Sequence, residues 1–180
     1  MGQIVFVIGG CRSGKSRYAQ ARAEALPQSR VYIATCPATD DEMRARVARH
    51  QADRAAAQWQ TVEEHLDPAA AIRALDGATV LLDCLTVWVS NLMYAREQEN
   101  VAFDEDHMAA AAADLVAAAR AHDGTVLVVT NEVGLGIVPD NAVARRYRDL
   151  AGRCNQTVAA AADEAVLLVS GLPVTLKPPS

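Results

Sequence analysis

Eight residues near the start of the chain, Gly9-Gly10-Cys11-Arg12-Ser13-Gly14-Lys15-Ser16, directly follow the apolar run Ile4-Val5-Phe6-Val7-Ile8. An unbroken apolar run of that length reads as a strand covered on both faces. The glycines let the backbone turn so that successive N–H groups face one concavity. A helix starting near Lys15 adds its positive N-terminal end to the same point. The spacing is G-x-x-x-x-G-K-[ST], the P-loop pattern, at every fixed position. In that pattern Lys15 reaches the β- and γ-phosphates of a nucleoside triphosphate and the Ser16 hydroxyl holds Mg²⁺. A bare glycine-rich turn is the alternative, but it would not need strand, loop and helix together.

The rest of the chain extends the same plan. Strand-like runs recur at Gln3–Ile8, Arg30–Thr35, Thr79–Cys84, Thr125–Thr130 and Ala165–Ser170, with a short one near Val174–Lys177. Most lack alternation, and helical segments lie between them, so the pattern predicts an α/β fold: a P-loop nucleotide-binding domain with a mainly parallel central sheet flanked by helices. Helices are expected from Lys15 to Leu26, from Asp40-Asp41-Glu42 towards Ala57, after Asp67-Pro68, over Thr86–Arg96, over Asp104–His122 and over Asn141–Ala162. The alanine tracts Ala109–Ala113 and Ala159–Ala162 are good helix formers that permit close packing.

Length and charge narrow the function. With 180 residues and 51% hydrophobic content the chain supports one sizeable core, hence one domain over 1–180. A net charge of -5 argues against non-specific nucleic-acid binding. No apolar run approaches the ~20 residues of a membrane span. The first strand begins without a charged leader and cleavable apolar region, so no signal peptide is expected, and with the scattered cysteines this makes a reducing cytoplasm the expected location. Cys11, Cys36, Cys84 and Cys154 form no C-x-x-C pair, which disfavours a zinc site or a disulfide framework.

Three further stretches carry candidate chemistry. Val80-Leu81-Leu82-Asp83 ends a buried strand with a carboxylate, which alone reads as an ordinary strand-ending Asp but, paired with the P-loop, as the second acidic group holding Mg²⁺ directly or through water. Thr130-Asn131-Glu132-Val133-Gly134-Leu135-Gly136-Ile137-Val138-Pro139 is either a ligand loop at a strand's carboxyl end or a capping connection. The segment with Arg44, Arg46, Arg49, His50, Asp53 and Arg54 is either a solvated helix face or a basic seat for an anionic substrate. In the second case the cationic neighbours favour a neutral, nucleophilic His50 imidazole. Trp59 and Glu63 follow, the first more often a core anchor and the second more often a surface charge.

These stretches occur in a specific order, with Tyr32-Ile33-Ala34-Thr35, Asp40-Asp41-Glu42-Met43, Arg49-His50, Trp59-x-Thr61-x-Glu63 and Asp83-Cys84-Leu85-Thr86 after the P-loop. Asn91-Leu92, Thr130-Asn131-Glu132-Val133-Gly134, Gly136-Ile137-Val138-Pro139, Arg148-Asp149-x-Ala151-Gly152-x-x-Asn155-Gln156 and Ala161-Ala162-Asp163-Glu164 complete the set. Over essentially its whole length the chain resembles the bifunctional adenosylcobinamide kinase / adenosylcobinamide-phosphate guanylyltransferase family of cobalamin biosynthesis. In one departure, Ala55-Ala56-Ala57-Gln58 stands where family members often carry a proline.

The resemblance implies two reactions. ATP or GTP phosphorylates the aminopropanol hydroxyl of adenosylcobinamide. GTP then guanylylates a histidine, which passes GMP to adenosylcobinamide phosphate. The resemblance implies that His50 is that histidine. It also implies that Gly9, Gly10, Cys11, Arg12, Ser13, Gly14, Lys15, Ser16, Ile33, Ala34, Thr35, Gln51, Ala52, Asp53, Arg54, Glu63 and Asp83 bind nucleotide. Mg²⁺ would sit on Ser16 and Asp83, and members look like homotrimers with nucleotide sites between subunits. A P-loop small-molecule kinase without nucleotidyl transfer, and a nucleotide-dependent switch, are the competing readings.

Overall fold

The computed structural model describes residues 2–27, 29–37 and 58–179, and elements are numbered within that set. Seven strands, β1 (Gln3–Gly9), β2 (Arg30–Ala34), β3 (Trp59–Glu63), β4 (Thr79–Asp83), β5 (Thr125–Asn131), β6 (Glu164–Val169) and β7 (Leu172–Lys177), form one sheet in the order β3-β2-β4-β5-β1-β6-β7. All neighbours are parallel except β6 and β7. Those two are joined by Ser170 and Gly171, both at positive φ, as a two-residue hairpin turn requires. The helices are α1 (Lys15–Glu24), α2 (Pro68–Arg73), α3 (Leu85–Gln98), α4 (Glu105–Ala121) and α5 (Ala142–Ala161).

Strand alternation sorts the core into two layers. Val5, Val7, Leu81, Leu127 and Val129 turn to one face and pack on Ala19 and Ala23 of α1. Ile4, Phe6, Ile33, Leu82 and Val128 turn to the other, onto Ile72 of α2, Val89 of α3, Leu115 of α4 and Leu150 of α5. Because both faces are covered, β1, β4 and β5 are apolar at nearly every position. The buried alanines Ala112, Ala118 and Ala119 let α4 lie close to the sheet.

The mainly parallel α/β architecture is as expected, with two adjustments at the edges. Strand β3 was not anticipated. Its Gln60, Thr61 and Glu63 are exposed and only Trp59 and Val62 are half-buried, so it carries no apolar run. Trp59 nevertheless anchors it: Nε1 donates to Glu24 Oε1 at 3.0 Å, and the ring stands edge-on to Tyr32 at 6.3 Å. At the opposite edge β7 extends from Leu172, longer than the expected Val174–Lys177, and every residue is exposed. The helix expected from Asp40 towards Ala57 lies outside the described residues.

One ion pair ties α4 and β1 to the start of β6. Asp163, between α5 and β6, accepts from Ile4 N at 2.7 Å and from Arg120 through both oxygens, at 2.6 and 2.9 Å. The Arg120 guanidinium, helped by the Ile4 N–H, holds the Asp163 carboxyl below the usual carboxylate range. A carboxyl whose folded-state pKa is depressed adds stability above its unfolded value, about pH 4, and loses it as pH falls through the folded value. Asp163→Asn is therefore expected to lower stability by about 1 kcal/mol near neutrality. Little difference should remain below about pH 2. Urea denaturation of both proteins across that range checks it, and a constant difference at all pH values would be the contrary result.

Candidate nucleotide site

The loop after β1 has little steric freedom. A Cβ on Gly9 would lie 2.5 Å from Ser13 Oγ and 2.7 Å from Leu168 O, so no larger residue fits. Arg12 and Gly14 both adopt positive φ, at 57° and 93°, and turn the chain into α1. Gly14 caps α1 without a side chain, and no acidic residue occupies the first turn. The helix's first N–H groups thus face the loop without an internal anion to neutralise them. Lys15, 8% exposed, lays its Nζ across the loop to Gly10 O at 3.0 Å. That ammonium can exchange a carbonyl for a phosphate oxygen, a stronger, charge-assisted partner. From behind, Gly171 N donates to Ser13 O at 2.8 Å, so the β6–β7 turn buttresses the loop.

The acidic strand end lies across the same face. β5 separates β1 from β4, and α1 packs over all three, carrying its N-terminal residues towards the end of β4. Asp83 shares a face with Leu81, and its Oδ2 accepts the Tyr32 hydroxyl at 3.1 Å, which orients the carboxylate. Burial pushes the neighbouring Cys84 thiol up, the Asp83 charge adds to the rise, and Lys15 opposes it. Lys15 and Asp83 therefore both act on the Cys84 thiol. Ser16 offers a hydroxyl and Asp83 a carboxylate, both hard oxygen donors. Mg²⁺ at phosphate sites needs only one or two such protein ligands, because substrate oxygens complete its shell. The donor set fits that ion.

The other expected nucleotide contacts divide. Ala34 stands in register with both Asp83 and Glu63, so these three form a row at the carboxyl edge. Thr35 is fully buried, and its Oγ1 donates to Cys84 O at 2.9 Å and accepts from Cys84 N at 2.8 Å, joining the ends of β2 and β4. Ile33 is fully buried on the face opposite α1, which leaves only its backbone for a ligand. Glu63 is exposed at the end of the edge strand, with β2 between it and Asp83. His50, Gln51, Ala52, Asp53 and Arg54 lie outside the described residues.

A polar network beside the P-loop has no counterpart among the expected nucleotide contacts. Thr130 Oγ1 donates to Asn155 Oδ1 at 2.8 Å, and Asn155 Nδ2 donates to Asn131 O at 3.1 Å. Asn131 Nδ2 donates to Thr86 Oγ1 at 3.1 Å, and the Tyr147 hydroxyl donates to Thr86 O at the same distance. Burial pushes the Tyr147 phenol up to about 12, so it stays a donor. Next along the chain, Glu132 N donates to Gly9 O at 3.2 Å. Glu132 Oε1 accepts from Gly134 N, and Arg148 Nη2 donates to Gly134 O at 2.6 Å. The segment after β5 is thus fastened against the P-loop. Thr86, Arg148 and Asn155 stood within the family-like motifs, whereas nothing in the sequence marked Tyr147.

A mainly parallel sheet whose first strand runs through this loop into α1, with an acidic strand end beyond the intervening β5, defines a P-loop nucleotide-binding α/β protein. An ATPase from the type III secretion system of pathogenic bacteria shares the fold, with a TM-score of 0.61 at 10% identity over 97% of this chain and 57% of that one. This chain thus spans little more than half of that protein. It belongs to the cobinamide kinase / cobinamide phosphate guanyltransferase family, whose sequence profile matches residues 5–176. It is 44% identical to the bifunctional adenosylcobalamin biosynthesis protein CobU of Salmonella typhimurium, across 97% of this chain and 99% of the relative. The CobU protein of Escherichia coli is 42% identical over the same shares. The corresponding protein CobP of Pseudomonas aeruginosa is 38% identical over 95% of each. No helix among the described residues is long and apolar enough to cross a membrane.

Proposed function

We propose that this chain performs both reactions of its family within one domain over 1–180, first as a kinase on adenosylcobinamide and then as a guanylyltransferase on its phosphate. The observation that carries the reading is the Lys15 cradle, set in a chain that matches its bifunctional relatives almost end to end. In the kinase step the acceptor hydroxyl oxygen bonds to the γ-phosphorus of ATP or GTP. The bond to the β–γ bridging oxygen breaks, the nucleoside diphosphate leaves, and the hydroxyl proton passes to water. In the second reaction a His50 nitrogen bonds to the α-phosphorus of GTP and pyrophosphate leaves. A phosphate oxygen of adenosylcobinamide phosphate then displaces the imidazole and yields adenosylcobinamide-GDP. The histidine adduct divides one hard displacement into two easier ones.

The same residues serve both reactions because negative charge develops on the β-phosphate side in each. Lys15 and the N–H groups of the Gly9–Ser16 loop receive that charge. Ser16 and Asp83 would hold Mg²⁺, which supplies positive charge against the phosphate oxygens. Asp83, kept in place by Tyr32, orients the metal side of the site. Ile33, Ala34, Thr35, Gln51, Ala52, Asp53, Arg54 and Glu63 complete the nucleotide contacts. The working assembly is a cytoplasmic homotrimer. The exposed Leu172, Val174 and Leu176 of β7 support it, since a second copy would remove them from water.

Incubation with GTP labelled at the α-phosphorus, followed by denaturation and mass analysis, tests the reading. A covalent GMP adduct is expected, and an unlabelled, active kinase would contradict it. Asp83→Asn should lower turnover of both steps on the order of 10²-fold. Nucleotide affinity should change by less than about tenfold, because the metal's charge matters most as the leaving group forms. A nucleotide titration beside a rate measurement separates the two effects.

A further inference from the structure

Beside the P-loop the carboxyl edge of the sheet opens into a cavity of about 460 Å³, between α3, α5 and the chain that follows β2. Its size lies within the ~300–1,000 Å³ range of small-ligand sites. Asn131 forms the wall nearest the nucleotide. It stands opposite Gly9 in the β1–β5 register, about one strand spacing, ~4.8 Å, from the first glycine of the loop. Thr86, Ser90 and Asn91 of α3 and Tyr147 of α5 add polar groups, and Val87 and Pro37 add apolar ones.

Most of these polar groups are already committed. Asn91 Nδ2 donates to Thr35 O at 2.8 Å and His65 O at 3.0 Å. Tyr147 donates to Thr86 O, and Asn131 Nδ2 donates to Thr86 Oγ1. Among the buried polar atoms of the lining the exception is Asn131 Oδ1, which has no hydrogen-bond partner among the described residues. A buried amide oxygen without a donor is unfavourable, so such atoms in native proteins call for a reason. Here the missing group is a donor, such as a hydroxyl or an amide N–H.

We propose that this cavity is the acceptor subsite of the kinase reaction. It receives the amide-linked amino-alcohol arm of the corrinoid, with Asn131 Oδ1 accepting a hydrogen bond from that arm beside the P-loop. The assignment rests on the function proposed above and gives its acceptor a location. An acceptor hydroxyl has to reach the γ-phosphorus from the side away from the leaving group, so its pocket must adjoin the phosphate cradle. The β1–β5 register provides that adjacency. The volume suits a short arm and leaves the corrin ring outside. Asn131 does not ionise and Tyr147 stays protonated, so these two groups bind and orient the alcohol without removing its proton.

Two variants test the assignment. Ser90 is exposed at the rim of α3, and Ser90→Phe would close the cavity while leaving the P-loop untouched. Asn131→Ala removes the unpartnered oxygen. Both should lower kcat/KM for adenosylcobinamide at least tenfold, Ser90→Phe chiefly through KM, with ATP and GTP affinity within about twofold of wild type. Wild-type kcat/KM in the Ser90→Phe enzyme would overturn the subsite assignment alone. An equal loss of nucleotide affinity would also overturn it, by tracing the effect to the phosphate cradle. A wild-type enzyme that leaves adenosylcobinamide unphosphorylated would fail the functional reading itself, and the subsite with it.

Discussion

Replacing Lys15 with alanine is expected to lower both activities together, each on the order of 10²-fold or more. The ammonium is buried at the loop, with Gly10 O as its hydrogen-bond partner. Arg12, the loop's other cation, is exposed whereas Lys15 is buried, and the α1 N-terminus contributes only partial charges. Kinase turnover leaves a nucleoside diphosphate and guanylylation leaves pyrophosphate, so one cation answers both leaving groups. Lys15→Arg should recover only part of the loss, since a planar guanidinium does not fit the space of a point-charge ammonium. Parallel assays on one preparation decide the matter. Survival of either activity at the wild-type level would show two separate phosphate sites.

His50→Ala is expected to separate the activities that Lys15→Ala lowers together. Enzyme labelling by GTP and transfer of GMP should be lost altogether, while phosphorylation of adenosylcobinamide persists, because its acceptor is the corrinoid hydroxyl. A histidine adduct is a phosphoramidate, so the label should be lost in acid and kept in base, opposite to a serine or threonine ester. Alanine at His65, His107 or His122 should leave labelling intact. His107 pairs with Asp104 at 2.6 Å, and His122 Nε2 donates to Ala78 O at 2.7 Å. Both therefore have structural partners of their own. Full transferase activity in the His50→Ala protein would falsify the assignment.

The parts of the molecule legible in the sequence were those with local signatures. β1, β4 and β5 were legible because burial on both faces leaves unbroken apolar runs, and the P-loop because its glycines and lysine sit at fixed spacing. Trp59 anchors as its size predicts, though half-buried at the sheet edge rather than in the core, and the strand that it pins leaves no signature, since an exposed edge needs no apolar pattern. The polar network was harder still. Thr86, Asn131 and Asn155 lie on three different elements and meet only when α3, β5 and α5 converge. Hydrogen bonds between short polar side chains leave no periodicity behind. Asp83 occupies an intermediate case: its strand was plain, while the Tyr32 hydroxyl that orients it belongs to the neighbouring strand.

The buttress from Gly171 to Ser13 has a consequence for synthesis on the ribosome. β1 emerges first but takes its neighbours from β5 and β6, and the loop behind it is braced by the turn after β6. Contacts of such long sequence separation form only after the intervening chain is closed into place. Nearly all of the 180 residues must therefore leave the exit tunnel before the phosphate cradle is whole. Until then the nascent chain holds an unpartnered central strand, exposed on both edges. A bound nucleotide can therefore stabilise the finished protein but not the early nascent chain, whose site is not yet built.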